Sequence, residues 1–258
     1  MKPTQSKRGK DRVTLDRAFS KWGLLSRSDA RFEIRRGVVS VNNRTVRDPD
    51  CWISMGRDRI VWEGRELRPR KSIYLMLYKP TGVVTTYRDP QSRKTVYDLL
   101  TDQKEWVFPV GRLDKDSSGL LLLTNDTRFC EFLTNPSSKV PKSYLVKVNF
   151  HPTPEQLGQL AEGIRLGTGE TTLPAIVRTL RHTGKCAFLE LTIVEGKNRQ
   201  VRRMIEVLGG RVLKLVRTRI GSLRLGDLPI GKYRPLHSGE LEKLLKPAKS
   251  MELTGKSF

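Results

Sequence analysis

A short polar loop between two apolar stretches is the part of this sequence best suited to chemistry. It spans residues 111–119 and carries Asp114 and Asp116, after the apolar residues 107–110 and before the apolar residues 120–124. A loop held between buried strands is a common place for a fold to present a reactive group. The alternatives are a plain tight turn, because Asp, Ser and Gly are typical turn residues, and a calcium site.

A calcium loop fits only the first half of this stretch. Asp114, Asp116, Ser118 and Gly119 match positions 1, 3, 5 and 6 of the EF-hand pattern, but position 12 is Asn125 instead of a bidentate Glu. Positions 7 to 10 are leucines that belong to an apolar strand. We therefore expect no calcium here.

The cysteines and histidines do not indicate another metal centre. The three Cys and three His are too far apart in sequence for paired ligands, and an odd number of cysteines does not complete a disulfide framework. We expect neither a metal nor a disulfide. These residues are Cys51, Cys130, Cys186, His151, His182 and His237.

The polar loop lies within a stretch of many short strands and few helices. This pattern predicts an α+β fold with a mixed, mainly antiparallel sheet and flanking helices. The predicted strands are residues 73–77, 83–87, 107–110, 120–124, 144–150, 186–194 and 212–216, and the predicted helices are 153–163, 199–208 and 238–245.

The first quarter of the chain has a different pattern. Residues 13–22 have apolar side chains at helical spacing, and a second helix opens at Ser26 or Ser28 and ends at Gly37. Residues 38–46 predict a short hairpin. The expected organisation is a basic flexible N-terminus (1–11), a small helix–helix–hairpin domain (12–60), a linker (61–72), the strand-rich domain (73–245) and a flexible tail (246–258).

The charge of the chain predicts a polyanionic partner. Its 49 Lys and Arg against 27 Asp and Glu give a net charge of +22, and 37% apolar residues are enough for a core. Residues 1–72 alone hold 19 Lys and Arg against 9 Asp and Glu. Nucleic acid is the expected partner, and an anionic membrane surface is the alternative. Since no apolar run reaches the ~20 residues of a membrane span and no secretory signal is present, we expect a cytoplasmic protein.

Three arginines share one face of the second predicted helix. Arg27, Arg31 and Arg35 recur every four residues, so they could meet successive phosphates of an RNA, although a solvated helix face is the simpler alternative. The surrounding segments are 12–17 (RVTLDR), 26–30 (SRSDA) and 34–42 (IRRGVVSVN). Together they resemble the S4 RNA-binding domain over about residues 12–60, which implies RNA binding.

Four segments of the strand-rich domain form an ordered set, namely 78–82 (YKPTG), 111–123 (GRLDKDSSGLLLL), 142–146 (KSYLV) and 195–204 (EGKNRQVRRM). They resemble the pseudouridine synthases, in particular the ribosomal RNA branch with an N-terminal S4 domain. The loop matches that family's pattern GRLDxx[ST]xGLLL. A mild departure is Thr127, where Gly is usual. Both resemblances together cover about residues 12–245.

The resemblance implies an isomerisation without cofactor or metal, in which a uridine in RNA is detached from its ribose at nitrogen, turned and rejoined through carbon. Asp114 would be the catalytic aspartate, either attacking the sugar C1′ or removing a sugar proton. Burial alone favours a neutral carboxyl, so a cation is needed nearby, and the family position for it is Lys197. Tyr144 would stack on the base once it has been extruded.

Further residues receive supporting roles from the resemblance. Val201 and Leu113 would line the base pocket, and Arg112 would fill the gap left by the extruded base. Arg199, Arg202 and Arg203 are expected to bind phosphate or to position a helix, and Lys79 is expected to bind RNA.

The sequence therefore predicts a monomeric ribosomal RNA pseudouridine synthase. Its partner would be ribosomal RNA or a ribosome assembly intermediate, with a slight preference for the large subunit. A non-catalytic RNA-binding or ribosome-assembly factor with the same fold is the alternative. A membrane-surface protein is a third hypothesis, which only the basic N-terminus favours.

Overall fold

The computed structural model describes residues 12–67, 71–167 and 169–246, which form two compact units. The first unit contains residues 12–67, 71–73, 102–108 and 124–127, and the second contains the other described residues. The expected flexible N-terminus, and the expected tail apart from Lys246, lie outside the described residues.

The first unit consists of two short helices and two small antiparallel sheets. In chain order its elements are β1 (Arg12–Thr14), α1 (Leu15–Lys21), α2 (Arg27–Arg36), β2 (Val39–Val41), β3 (Arg44–Thr45), β4 (Trp52–Ser54), β5 (Ile60–Trp62) and β6 (Arg65–Glu66). Strand β1 pairs with β4, and the other sheet has the order β3-β2-β5-β6. Both helices contribute to an apolar cluster around the fully buried Phe19.

The predicted second helix matches α2, and its ends follow from local sequence. The side chain of Ser26 accepts a hydrogen bond from the N–H of Asp29, and Gly37 ends the helix in the left-handed region at φ 79°. Ala30 and Ile34 form its buried side. The charged residues of α2 lie on its other faces.

The expected linker has to be corrected over residues 61–67. Strand β6 pairs with β5, and the N–H of Leu67 donates to the carbonyl of Ile60 at 2.8 Å. These charged residues form an outer strand because pairing depends on backbone groups, which every non-proline residue supplies. The first unit therefore extends beyond the predicted boundary at residue 60.

The second unit contains a nine-stranded mixed sheet with helices around it, which confirms the predicted fold class. Its elements are β7 (Tyr74–Lys79), β8 (Phe108–Pro109), β9 (Ser118–Thr124), α3 (Thr127–Thr134), β10 (Lys142–Val148), α4 (Pro154–Glu162), β11 (Ile176–Thr183), β12 (Cys186–Ile193), α5 (Gln200–Val207), β13 (Val212–Ile220), β14 (Leu223–Arg224), β15 (Tyr233–Pro235) and α6 (Ser238–Leu245).

The order of the main strands is β11-β12-β10-β13-β9-β7-β15, with β14 beside β13 and β8 beside β9. Strands β13 and β9 are parallel, and β10 is antiparallel to both of its neighbours. The leucines of β9 are completely buried, which explains why this strand is a continuous apolar run. The polar loop of residues 111–117 precedes β9 and is therefore attached to the centre of the sheet.

Residues 83–87 do not form the predicted strand. Val84 makes only an isolated bridge to Thr95, although the segment is rich in β-branched residues. The hydroxyl of Thr85 donates to the carbonyl of Leu113 at 2.8 Å, so this segment supports the polar loop instead of joining the sheet. None of the helices in the described part of the chain is long and apolar enough to cross a membrane.

Candidate active site

A buried lysine, Lys79, binds the backbone of the loop that carries Asp114. Lys79 is completely inaccessible to solvent, and its ammonium donates to the carbonyls of Pro80 at 2.9 Å, Asp114 at 3.1 Å and Ser117 at 2.8 Å. Burial lowers the pKa of Lys79 to about 8, although the negative charges of Asp114 and Asp116 oppose this shift. Lys79 thus fixes both ends of the turn that presents Asp114.

Two backbone contacts complete the support of the loop. The N–H of Gly82 donates to the carbonyl of Lys115 at 2.8 Å, and the N–H of Ser117 donates to the carbonyl of Asp114 at 3.1 Å. The Asp114 side chain itself is half-buried. The turn therefore has a fixed backbone and leaves the carboxylate accessible.

A cavity of about 560 Å³ lies beside this loop. Its size falls within the usual range for small-molecule and cofactor sites. The predicted site residues that line it are Arg112, Leu113, Asp114, Tyr144, Lys197, Arg199 and Val201. The structure thus brings together residues from three sequence segments that are far apart in the chain.

Tyr144 reaches the cavity because of strand alternation. Lys142 and Tyr144 are two residues apart on β10, so their side chains leave the sheet on the same face, and both line the cavity. Tyr144 is only 8% exposed and lies opposite Arg217 of β13 and Leu191 of β12. Its neighbours hold it in the wall of the cavity.

The expected ion pair between Lys197 and Asp114 is not present in this structure. The Lys197 ammonium donates to the carbonyl of Thr171 at 2.7 Å and lies 3.6 Å from Glu195 and 3.7 Å from Glu170. Lys197 lines the cavity, but two carboxylates other than Asp114 neutralise it.

Arg202 contacts the polar loop directly. It is 9% exposed, and its guanidinium donates to the carbonyls of Asp116 at 2.9 Å and Val212 at 3.3 Å. Burial and the charge of Arg199 lower the pKa of Arg202, whereas Asp116 and Asp114 raise it. The positive charges of Lys79 and Arg202 therefore both interact with the negative charge of Asp114.

Two of the residues expected to bind RNA phosphate need correction. Lys79 and Arg202 are buried and donate to backbone carbonyls, so neither presents its charge to an RNA strand. Arg112 and Arg199 are exposed at the cavity. Arg203 is half-buried, with one guanidinium nitrogen 3.4 Å from the carbonyl of Asn198.

The three arginines predicted to share one face of α2 are not equivalent. Arg27 and Arg31 both bind the completely buried Asp16, at 2.8 and 3.0 Å, and Arg31 also binds Asp50 at 2.8 Å. Burial alone would raise the pKa of Asp16, but hydrogen bonds from Thr14 and from both arginines lower it. Only Arg35 has its side chain exposed without an acidic partner among the described residues.

Sequence reasoning missed two cations in the cavity wall, Lys142 and Arg217. Burial and the nearby Arg217 lower the pKa of Lys142 to about 8. Arg217 is 4% exposed; its Nε donates to the carbonyl of Leu120 at 2.7 Å, and its buried Nη2 has no hydrogen-bond partner in the described part of the chain. A charged residue at an inward position of a strand is a signal that could have identified both.

No group of three or more His, Cys, Asp or Glu side chains suited to hold a metal ion occurs in the described residues. The three cysteines are free thiols.

The mixed sheet, the supported Asp114 loop and the adjoining cavity are together typical of an enzyme active site. The family described as RNA pseudouridylate synthase matches residues 73–207, and the chain belongs to this family. The predicted pseudouridine synthase family and enzyme class are confirmed.

Relatives with known names agree over most of the chain. It is 38% identical over 232 residues to "Ribosomal large subunit pseudouridine synthase B" of Bacillus subtilis, covering 89% of this chain and 94% of that protein. It is 33% identical over 236 residues to "Dual-specificity RNA pseudouridine synthase RluF" of Salmonella typhi, covering 90% and 78%. A solved structure described as "Crystal structure of pseudouridylate synthase" is 34% identical, with a TM-score of 0.65, covering 90% of this chain and 100% of that one.

Proposed function

We propose that this protein converts a uridine of large-subunit ribosomal RNA to pseudouridine. The observation that carries the proposal is that Asp114 and Tyr144 line one cavity in a chain of the pseudouridylate synthase family. The name of the Bacillus subtilis relative supports ribosomal RNA of the large subunit as the substrate. We also expect the protein to act as a cytoplasmic monomer.

Asp114 is the proposed catalytic residue. Its carboxylate either attacks the sugar C1′ or removes a sugar proton, and the bond between uracil nitrogen and the sugar breaks. The detached base turns in the cavity, and one of its ring carbons forms the new bond to C1′ while the Asp114–sugar bond breaks or the abstracted sugar proton returns. That ring carbon then loses its proton and the freed ring nitrogen gains one, so no atom is gained or lost overall. The fixed backbone of the loop supports this role, because a reacting group needs a defined position relative to the sugar.

Tyr144 is proposed to hold the extruded base. Removing a base from its stack costs a few kcal/mol, which new contacts must offset. Stacking on an aromatic side chain contributes roughly 1 to 3 kcal/mol for one base. The position of Tyr144 in the cavity wall, with Val201 and Leu113 nearby in the lining, supports this assignment.

The supporting cations are proposed to be Lys79 and Arg202 instead of Lys197. A carboxylate that reacts in its ionised form needs positive charge nearby when water is displaced. Lys79 and Arg202 interact electrostatically with Asp114, whereas the ion pairs of Lys197 are with Glu170 and Glu195. Arg112 and Arg199, which are exposed at the cavity, are the proposed phosphate contacts there.

We further propose that residues 12–67 are an S4-type RNA-binding module. Two helices followed by a hairpin, with exposed Arg35 on α2, support this proposal. Arg27 is also 55% exposed despite its bond to Asp16, so one side of its guanidinium is accessible to a phosphate.

The test compares two substitutions in the same loop. Asp114→Asn keeps the shape of the side chain and removes its charge, so we expect RNA binding to persist and isomerisation to fall by at least about 10⁴-fold. Asp116→Asn is the matched control, because it removes the same charge from the same loop at an exposed side chain, which lies 3.8 Å from Arg199, and it leaves the Asp116 carbonyl that receives the bond from Arg202. This control should still form product.

The assay incubates each protein with unmodified large-subunit and small-subunit ribosomal RNA fragments and maps pseudouridine chemically. Product only in large-subunit RNA is expected. Normal turnover by Asp114→Asn would refute the catalytic assignment. Tight binding by the wild-type protein without product in any fragment would instead support the non-catalytic RNA-binding factor.

A further inference from the structure

A row of four side chains crosses four adjacent strands of the second unit. It consists of Arg181 on β11, Phe188 on β12, Lys147 on β10 and Lys214 on β13. The strand registers place Arg181 opposite Phe188, Phe188 opposite Lys147, and Lys147 opposite Lys214. Residues opposite one another in paired strands lie on the same face of the sheet. We call these four residues the basic row.

The basic row lies on the face of the sheet opposite the cavity. Side chains alternate between faces along a strand, and Lys147 is three residues from Tyr144, which lines the cavity. On β13, Lys214 is next to Leu215 and three residues from Arg217, both of which line the cavity. Two independent strands therefore give the same orientation.

The aromatic ring holds two of the cations in place. The guanidinium carbon of Arg181 lies 4.4 Å from the centroid of the Phe188 ring, and the ammonium of Lys147 lies 5.5 Å from it. Both distances are within the ~6 Å range of cation–π attraction. This contact restricts side chains that would otherwise lose rotational freedom on binding a ligand.

The basic row contains three positive residues and no acidic residue. Arg181 and Lys214 are exposed, Lys147 is half-buried, and the fourth member is Phe188. The carboxylate two residues along β12, Glu190, binds Arg178 at 2.8 Å. Three positive charges therefore remain available to an anionic ligand.

The linear spacing fits a polyanion with regularly repeated charges. Strands are about 4.8 Å apart, so the row extends about 14 Å from β11 to β13. A nucleic acid backbone carries one negative charge per nucleotide, so its successive phosphates can meet cations placed along such a row.

We propose that the basic row binds backbone phosphates of the substrate RNA, away from the nucleotide that enters the cavity. This inference rests on the proposed function only in taking RNA as the ligand. It assigns an RNA contact surface to the back of the catalytic sheet, where it can add affinity without reading the sequence.

The test removes the three charges together, with Arg181, Lys147 and Lys214 each changed to Gln. The matched control changes Lys94, Arg224 and Lys243 to Gln, which removes the same net charge from other exposed positions of the second unit. Binding of a ribosomal RNA fragment is measured as a function of salt concentration. Circular dichroism checks that both variants are folded.

We expect the row variant to bind RNA more weakly and with a smaller salt dependence. Each lost single-strand phosphate contact reduces the slope of log K against log salt by about 0.7, so three contacts reduce it by about 2. When the salt concentration rises fourfold, the RNA affinity of the variant should therefore fall by a factor about 16-fold smaller than the fall for the wild type. The loss should appear in KM more than in kcat, and the control should keep the wild-type slope.

Three results would overturn the inference. Equal losses in the row variant and the control would indicate a general effect of net charge. Unchanged RNA binding by the row variant would exclude the contact. Loss of binding to vesicles containing phosphatidylserine, with RNA binding intact, would assign the row to a membrane surface. Pseudouridine mapping with the wild-type protein is run in parallel, so failure of the proposed catalysis is distinguished from failure of the row.

Discussion

Replacing Lys79 by methionine should weaken the loop that presents Asp114. Methionine has a similar length and suits a fully buried position, but it has no hydrogen to donate. The carbonyls of Pro80 and Ser117 would lose their bond to the ammonium, whereas the carbonyl of Asp114 keeps the N–H of Ser117.

The magnitude follows from these contacts. Leaving the carbonyls of Pro80 and Ser117 without this donor costs about 2 kcal/mol each, and the third lost bond costs about 1 kcal/mol. In the opposite direction, burial lowers the Lys79 pKa from 10.5 to about 8, so the buried charge is disfavoured by about 3 kcal/mol that methionine avoids. The net expectation is a free energy of unfolding lower by about 2 kcal/mol, with reduced turnover because Asp114 is less well positioned.

The same lysine gives the stability a defined pH dependence. Its pKa is lower in the folded protein, so between about pH 8 and pH 10.5 the unfolded chain binds more protons. The free energy of unfolding therefore rises with pH across this window, by about 3 kcal/mol in total. The methionine variant lacks this contribution, so its deficit relative to wild type should widen from pH 8 to pH 10.5.

Denaturant unfolding followed by circular dichroism, together with kcat, measures these effects. Lys142→Met is the control for stability, because burial also lowers the pKa of Lys142 to about 8, but its ammonium has a single carbonyl partner, that of Val140 at 3.1 Å. This control should lose little stability or gain some. Three results together would show that Lys79 does not hold the loop. Lys79→Met would be as stable as the control, its turnover would be normal, and the difference in free energy of unfolding between it and the wild type would not change with pH.

Two further pairs of substitutions test the charge assignments. Lys197→Met should lower kcat less than Arg202→Met does, because the charge of Arg202 interacts with Asp114, whereas Lys197 pairs with Glu170 and Glu195. The kcat of each variant is measured as a function of pH. A larger loss of kcat in Lys197→Met than in Arg202→Met would restore Lys197 as the supporting cation. Asp16→Asn should lower the free energy of unfolding by about 2 kcal/mol at pH 7, because it removes the charge of a buried carboxylate that accepts hydrogen bonds from Arg27 and Arg31, whereas the exposed Asp50→Asn should cost less than about 1 kcal/mol. Because the pKa of Asp16 is lowered in the folded protein, the loss of stability caused by Asp16→Asn should be complete above pH 3.8 and should disappear as the pH falls through the folded pKa. A loss of stability that does not change with pH would show that the charge of Asp16 does not stabilise the fold.

Local features of the sequence predicted much of the secondary structure. Helix α2 follows its Ser26 cap and its terminal Gly37, and the Tyr144 strand follows its alternating pattern. Strand propensity gave a wrong prediction at residues 83–87, where the hydroxyl of Thr85 bonds to the polar loop and the segment does not join the sheet. It also failed at β6, where paired backbone groups outweighed a charged composition typical of a linker.

The sequence by itself determined the family, the α+β class and the Asp114 loop, because each depends on residue types in a fixed local order. The tertiary structure decided what each cation does. Lys79 bonds to a carbonyl 38 residues away, Arg202 to one 86 residues away, and Arg217 to one 97 residues away. A lysine or arginine binds RNA or supports a loop according to its burial and its neighbours, and both are set by strands such as β13 and β9 that are far apart in the chain and adjacent in the sheet.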